Sequence, residues 1–347
     1  MTPIVAVITP TKNRQKLLCE VMDSVHKQTF NNWEHIIVDD GSNDGTAEEV
    51  RRRALNDPRI RYIERNGERS GANVCRNLGI AQSRSELILF LDSDDLLRPQ
   101  CLERRVEIMQ RNPDLNFAVF RASVFTNSVG DLQRLYHPQN PGDDLLRFLT
   151  LECPWEISGP IWRRSFLNSI GRFDETLLSM QDLEMHARAI SARGKYIYYQ
   201  DVDHDIRWQN DSSKTSVRHF YDPSYIEAAE EVRLKLLNTI QRSGMLTWSR
   251  QRALTGLCFG TAESWVRLGH VSKGVRGWNR GCGQHNVHWP LRMIGMLMLG
   301  VALLIRGENG FCFRLLNKWK GWVRFRQESA LLEQDCKLST ITNDCEC

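Results

Sequence analysis

Short apolar runs alternate with stretches of helical spacing through residues 1–91. Ile4–Ile8 is a compact apolar run of the kind shown by strands buried on both faces. Leu17, Leu18, Val21, Met22 and Val25 follow at helical spacing, with Asn13 standing where a helix cap would. Glu34–Asp39 (EHIIVD) reads as a second strand, and Thr46-x-x-Glu49 as a capping box opening a second helix. Arg59–Glu64 reads as a third strand, Gly71–Ser83 as a helix, and Glu86–Leu91 (ELILFL) as a fourth strand. Strands regularly separated by helices predict an α/β class with a largely parallel sheet. Ligands of such sheets sit beyond the carboxyl ends of the strands, so chemistry is sought there.

The pattern changes in the rear. Residues 225–242, Ser249–Leu268 and Pro290–Arg306 read as helices. This divides the chain into an α/β domain over 1–222 and a helical accessory region over 223–347. No stretch reaches about 18 uninterrupted apolar residues, which excludes a polytopic membrane protein. The net charge of +4 is uneven. Residues 1–224 carry 29 Lys and Arg against 32 Asp and Glu, whereas residues 225–347 carry 17 against 10. A mildly acidic front and a basic rear suggest two different tasks. The ten cysteines are scattered with no CxxC pair, and no secretory signal opens the chain, so reduced cysteines and a cytoplasmic setting are expected.

Two of the strand ends are acidic. The second strand runs into Asp39-Asp40-Gly41-Ser42-Asn43-Asp44-Gly45-Thr46, and the fourth into Asp92-Ser93-Asp94-Asp95. Neither is followed by a dinucleotide fingerprint or a P-loop, so bare backbone amides do not hold phosphates here. Clustered carboxylates point instead to a hard divalent cation, Mn²⁺ or Mg²⁺, which takes oxygen ligands and bridges to substrate phosphates. An EF-hand over 40–51 fails at its twelfth position, where Arg51 stands in place of a bidentate Glu. In an extended stretch Asp92 and Asp94 face one way and Asp95 the other.

The order of these motifs resembles the family 2 glycosyltransferases, of the GT-A fold. The matching residues are Thr9-Pro10-Thr11-Lys12-Asn13-Arg14, VDDGSNDGT at Val38–Thr46, Gly71-Ala72-Asn73 with Arg76-Asn77-Leu78-Gly79-Ile80, and LDSDD at Leu91–Asp95. Gly171-Arg172-Phe173-Asp174-Glu175 and Gln181-Asp182 follow, so that the likeness covers about residues 3–215.

The resemblance implies transfer of a sugar from a nucleotide-sugar, most naturally a UDP-sugar, to an acceptor hydroxyl with inversion. It implies that Thr9, Pro10 and Asn13 line the nucleotide pocket and that Asp39 accepts from the base. Arg76 and Asn77 lie near the phosphates, Asp94 is the direct Mn²⁺ or Mg²⁺ ligand, and Asp92 binds the ribose or sugar and supports the metal. Asp182 is the general base. Glu184 is its backup, and His186, one turn beyond Asp182, is expected at the surface. Trp155, Arg207 and Trp208 are acceptor-side candidates. Gln209 stands where a metal-binding histidine sometimes occurs in the family, so a further protein ligand to the metal is not expected, His204 being the alternative weighed for it.

Met293–Ile305 is too short to span a bilayer, but basic and aromatic residues flank it: Arg292, Arg306, Arg314, Lys318, Trp319, Lys320, Trp322, Arg324 and Arg326. Peripheral contact with an anionic membrane at the cytoplasmic face is therefore expected beside the nucleotide-sugar and a glycan or glycolipid acceptor. No nucleic-acid motif is found, and His285-x-x-His288 lacks partner ligands for zinc. A nucleotidyltransferase and a non-catalytic sugar-nucleotide or membrane-binding module are the alternatives. The first would normally carry a Gly-rich basic loop where TPTKNR stands, and the second has no need of both Asp94 and Asp182.

Overall fold

The computed structural model describes residues 2–136, 142–208, 222–284 and 287–304. Gln209, His285 and the basic stretch from Arg306 lie outside them. The chain divides into two units, Met1–Phe148 with Glu152–Lys214, and Leu149–Leu151 with Thr215–Cys347.

The first unit is built on one mixed sheet. Strands β1 (Val5–Thr11), β2 (Trp33–Asp39), β3 (Ile60–Glu64) and β4 (Leu87–Phe90) are mutually parallel, and every residue of β1, β2 and β4 is buried. This is why they read as continuous apolar runs: helices cover both faces and no position alternates out to water. Helices α1 (Gln15–His26), α2 (Thr46–Asn56) and α3 (Ala72–Gln82) make the crossovers. After β4 come β5 (Leu96–Leu97), α4 (Cys101–Arg111), β6 (Phe117–Phe125), β7 (Arg134–Leu135), α5 (Asp144–Leu149) and β8 (Pro160–Arg163). The unit continues through α6 (Arg164–Ser169), α7 (Gln181–Ser191) and β9 (Tyr196–Arg207). Among the described residues the strand order is β3-β2-β1-β4-β8-β6-β9-β5, with β7 on β6. Strand β8 runs antiparallel to both β4 and β6, while β6 and β9 pair in parallel, so the sheet is mixed beyond β4.

Two local readings are corrected. Asn13 is not the cap of α1. It adopts a left-handed φ of 52°, accepts from Asn43 N at 2.8 Å and donates its own N–H to Ser42 Oγ at 2.8 Å. It therefore ties the tip of β1 to the tip of β2. Nor does Thr46 form a capping box, because α2 begins at Thr46 itself. Asp44 Oδ1 accepts from Thr46 N at 3.1 Å, and Gly45 takes φ +89°, a backbone that side chains resist.

The second unit is helical: α8 (Pro223–Arg242), α9 (Trp248–Arg267), α10 (Val271–Gln284) and α11 (Trp289–Leu304). Asp222 caps α8 by accepting from Ser224 N, with Pro223 at the first helical position. The α10 helix was not anticipated, since four of its residues, Gly274, Gly277, Gly281 and Gly283, interrupt the helical reading. Close packing accounts for two of them, as a Cβ on Gly274 would lie 2.6 Å from Ala262 O and one on Gly281 2.7 Å from Cys258 Sγ. Likewise a Cβ on Gly295 of α11 would lie 2.2 Å from the Trp278 ring. Phe259, Trp278, Met298 and Leu299 are at the centre of this core.

Candidate active site

The first two strand tips are stitched together before any ligand is considered. Asp39, at the end of β2, is buried. Its Oδ1 accepts from Ser42 N at 2.9 Å and its Oδ2 from the Tyr62 hydroxyl at 2.9 Å. Asp40 pairs with Arg65 and Lys12 and accepts from Gly71 N at 3.2 Å. Thr9 and Pro10 are strand residues, not loop residues. The Thr9 hydroxyl is bonded to His35 Nε2 at 2.9 Å, so it does not line a pocket as expected. Pro10 sits where β4 has already left the ladder, whose register ends at Ile8 with Phe90, so its missing N–H costs no bond there.

The tip of β4 carries the acids. Leu91-Asp92-Ser93-Asp94 is not extended, because Asp95 N returns to Asp92 O at 3.2 Å in a turn. The side chains of Asp92 and Asp94 meet different cations. Arg76 Nη2 donates to Asp92 Oδ1 at 2.8 Å, and Arg14 Nη1 to Asp94 Oδ2 at 2.7 Å. Asp95 is buried beneath the turn, bonded to Ser158 Oγ at 3.0 Å and to Arg207 N at 3.2 Å. Burial, with the negative charges of Asp94, Asp92 and Glu156 beside it, pushes its carboxyl well above the usual range. Arg207 closes over the turn from β9. Its Nε donates to Asp94 O at 3.2 Å and its Nη2 pairs with Glu20.

Arg76 is 3% exposed and has an incomplete set of partners. Its Nε and Nη1 are sealed from solvent and make no hydrogen bond within the described residues. A buried guanidinium with donors left over can donate further hydrogen bonds to an anion's oxygens.

Asp182 stands in the first turn of α7, whose preceding residue, Met180, takes φ 56°. Its Oδ1 is sealed from solvent and unbonded within the described residues. Burial lifts the Asp182 carboxyl to about 6, with Arg76 pulling it down and Asp92 and Glu156 pushing it up. Arg76 and Asp92, which both act on the Asp182 carboxyl, are bonded to each other at the β4 tip. A carboxyl near 6, free to accept a proton, has the character of a general base.

Several expected site residues turn out to be structural. Asn77 donates to Phe173 O at 2.8 Å and accepts from Phe173 N at 3.0 Å, so it hooks α3 onto the Gly171–Glu175 turn and does not face a donor. Glu184 cannot be a backup base, because Arg188 takes its two oxygens at 2.7 and 2.9 Å. Trp155 is a core residue, its ring 4.9 Å from Phe148 and 5.7 Å from His186, and it offers no face to a sugar. His186 is not at the surface. It is fully buried among Phe148, Trp155 and Trp162, neither nitrogen has a partner within the described residues, and burial holds it at about 3. Trp208 is exposed at the end of β9.

His204 is excluded as a substitute metal ligand because both of its nitrogens are engaged. Nδ1 lies 2.8 Å from Asp203 Oδ1, and Nε2 is paired with Glu156. Burial opposes a charged ring there, but Glu156 and Asp203 outweigh it and lift His204 to about 9. Among the described residues no three His, Cys, Asp or Glu side chains form a metal cage. Asp92 and Asp94 are the residues that could hold a cation, as the protein's share of a shell completed by substrate oxygens.

Sequence reading assigned no role to Arg14, Tyr62, Glu156 or Ser158. Arg14 lay within a matched motif and had a signal. The others contact the acidic residues only through the fold.

Residues 6–169 match the family model described as glycosyl transferase family 2. Over 156 residues the chain is 34% identical to TuaG of Bacillus subtilis, a protein named for teichuronic acid biosynthesis, covering 44% of this chain and 60% of that one. It is 39% identical over 95 residues to the GalNAc(5)-diNAcBac-PP-undecaprenol beta-1,3-glucosyltransferase of Campylobacter jejuni, covering 27% of this chain and 31% of that protein. The match thus spans a third to three-fifths of these curated relatives. The fold is like that of Staphylococcus aureus TarS 1–349 in complex with UDP-GlcNAc, with a TM-score of 0.62 at 17% identity over 94% of this chain and 93% of that one. It is also like Pyrobaculum calidifontis mannosyltransferase PcManGT in complex with GDP-Man and Mn²⁺, with a TM-score of 0.53 at 18% identity over 93% and 85%. Fold and motif order agree with the match of residues 6–169, which form a glycosyl transferase family 2 domain within this chain.

Proposed function

We propose that this chain transfers a sugar, with inversion, from a UDP-sugar to a hydroxyl of a cell-surface glycan or glycolipid. The observation that carries the reading is Asp182, whose Oδ1 is sealed and unbonded within the described residues and whose carboxyl is lifted to about 6 while Arg76 and Asp92 act on it. The names of the curated relatives support the class of acceptor, and the UDP-GlcNAc complex of a protein of like fold supports the class of donor.

In this reading the idle Nε and Nη1 of Arg76 take the donor's diphosphate oxygens. Asp92 and Asp94 would hold Mn²⁺ or Mg²⁺, which would supply neutralisation of the charge developing on the leaving diphosphate. Asp182 removes the proton from the acceptor hydroxyl as its oxygen bonds to the anomeric carbon and the bond from that carbon to the phosphate oxygen breaks. UDP leaves with the electron pair. Arg207 and Glu20 keep the β4 turn in place, and Asp39 and Asn13 shape the nucleotide side. The setting is the cytoplasmic face of a membrane.

The test is UDP release from a panel of UDP-sugars. EDTA should abolish it, Mn²⁺ should restore it, and Asp94→Ala should not be rescued by metal. Full turnover in EDTA would remove the cation from the reading.

A further inference from the structure

The last described helix has two unlike faces. Gly295, Met298, Leu299 and Ala302 of α11 are buried against the core of the second unit. On the other side Trp289 is 75% exposed, Met293 58%, Leu297 65% and Ile294 43%. Trp289, Met293 and Leu297 follow one another at i, i+4 and i+8, so they form a single stripe with Ile294 beside it. Four large apolar side chains on one exposed face form a patch, and exposed patches of that kind mark an interaction surface.

The charge around the stripe identifies its partner. From Leu268 to Leu304 the chain holds four cations, Lys273, Arg276, Arg280 and Arg292, and no acidic residue. Arg276, Arg280 and Arg292 are exposed. Residues 305–326 add six more cations against one acid, Glu308, with Trp319 and Trp322 among them. A second copy of the chain would bring one basic face against another. The 305–326 segment, folded back over α11, would do the same. An anionic lipid surface alone offers both a place for the apolar stripe and a countercharge for its surroundings. No described helix is long and apolar enough to cross a membrane, so the contact is one of lying on the surface.

We infer that the Trp289, Met293, Ile294 and Leu297 face of α11 docks onto the headgroup region of an anionic bilayer. The inference names the membrane partner of the proposed transferase, yet it rests on the surface of α11 and not on the catalytic reading.

The test is flotation of the full chain with phosphatidylcholine vesicles that contain or lack phosphatidylglycerol. Binding should be at least about tenfold stronger with the anionic lipid, since each basic residue near the surface adds attraction. Met293→Asp/Leu297→Asp should lose at least about tenfold of that binding, as burial of two large side chains is removed. Trp289→Ala, which adds no charge, should lose a smaller share. All three proteins should bind UDP equally, and Asp94→Ala should float as the unaltered chain does, which separates failure here from failure of the catalytic reading. The inference is overturned if the unaltered chain does not float, if it floats equally with both vesicles, or if the double variant floats undiminished. A dimer in solution that Met293→Asp/Leu297→Asp converts to a monomer would assign the stripe to a second copy instead.

Discussion

Burial acts on the carboxyls of both Asp182, at the start of α7, and Asp203, in β9, and the fold treats the two in opposite ways. Asp203 in β9 receives Arg105 Nε and Nη2 at 2.7 Å each, and His204 Nδ1 lies 2.8 Å from its Oδ1. Burial alone would raise its carboxyl, but the Arg105 guanidinium outweighs that and holds it below the usual range. Asp182 has no such partner for Oδ1 and is lifted to about 6. A buried charge that is fully paired holds structure together, whereas one left unpaired is a cost that folding alone does not require. The contrast separates scaffold from site without reference to sequence likeness.

The comparison can be broken most sharply at Asp182. Asp182→Asn should lower turnover by about 10²–10⁴-fold, the usual worth of a general base, while UDP affinity by calorimetry and the melting temperature stay close to those of the unaltered chain. A clear fall in melting temperature would make Asp182 a structural acid like Asp203.

The paired acid should respond the other way. Arg105→Met takes the guanidinium from buried Asp203, leaving only His204 beside it, and should cost about 3–5 kcal/mol in urea unfolding. Adding Asp203→Leu should recover most of that loss, because an apolar pair needs no countercharge. A single variant of unchanged stability would show that the pair is not what makes burial of Asp203 tolerable.

Arg76→Lys keeps the charge but loses the planar fork. It should raise the donor KM by about 10–100-fold, the worth of about 1.5–3 kcal/mol for bonds to a charged group, with a smaller change in kcat. An equal fall in kcat would move Arg76 from holding the donor to acting in the transition state.

The smallest effect is in pH. Asp182 must be ionised to accept a proton, and its carboxyl is raised to about 6. kcat/KM should therefore climb about tenfold per pH unit up to about 6 and then level. That limb should vanish in Asp182→Asn. A flat profile across pH 5–7 would remove Asp182 as the titrating base.

How far the chain could be read without the structure varied along its length. Strands β1, β2 and β4 were legible because a strand buried on both faces leaves an unbroken apolar run. Strand β9 was not. It reads YIYYQDVDHDIR, yet Asp203, His204 and Asp205 are buried side by side. Two register shifts between β6 and β9 re-aim these side chains, and Arg105 from α4 and Glu156 from the segment before β8 satisfy them. The polar character of β9 disguised its burial, since its partners are remote in the chain. Likewise, helical spacing put His186 on the Asp182 face, but only the rings of Phe148, Trp155 and Trp162 decided that it is enclosed. Asn77 was misjudged because its partner, Phe173, follows from how α3 meets the Gly171–Glu175 turn, whereas the Glu184–Arg188 pair is an i, i+4 contact within α7 that the sequence already carried.

By itself the sequence determined which segments are buried strands, which strand tips are acidic, and in what order the motifs come. These are local properties, carried by apolar spacing and by neighbours within a few residues. Tertiary structure alone decided which acids are paired with arginine and which is left unpaired. That choice depends on contacts such as Arg14 with Asp94 or Arg105 with Asp203, 80 and 98 residues apart. Burial strengthens each such contact and penalises its absence, so the same residue type becomes a strut in one place and a base in another.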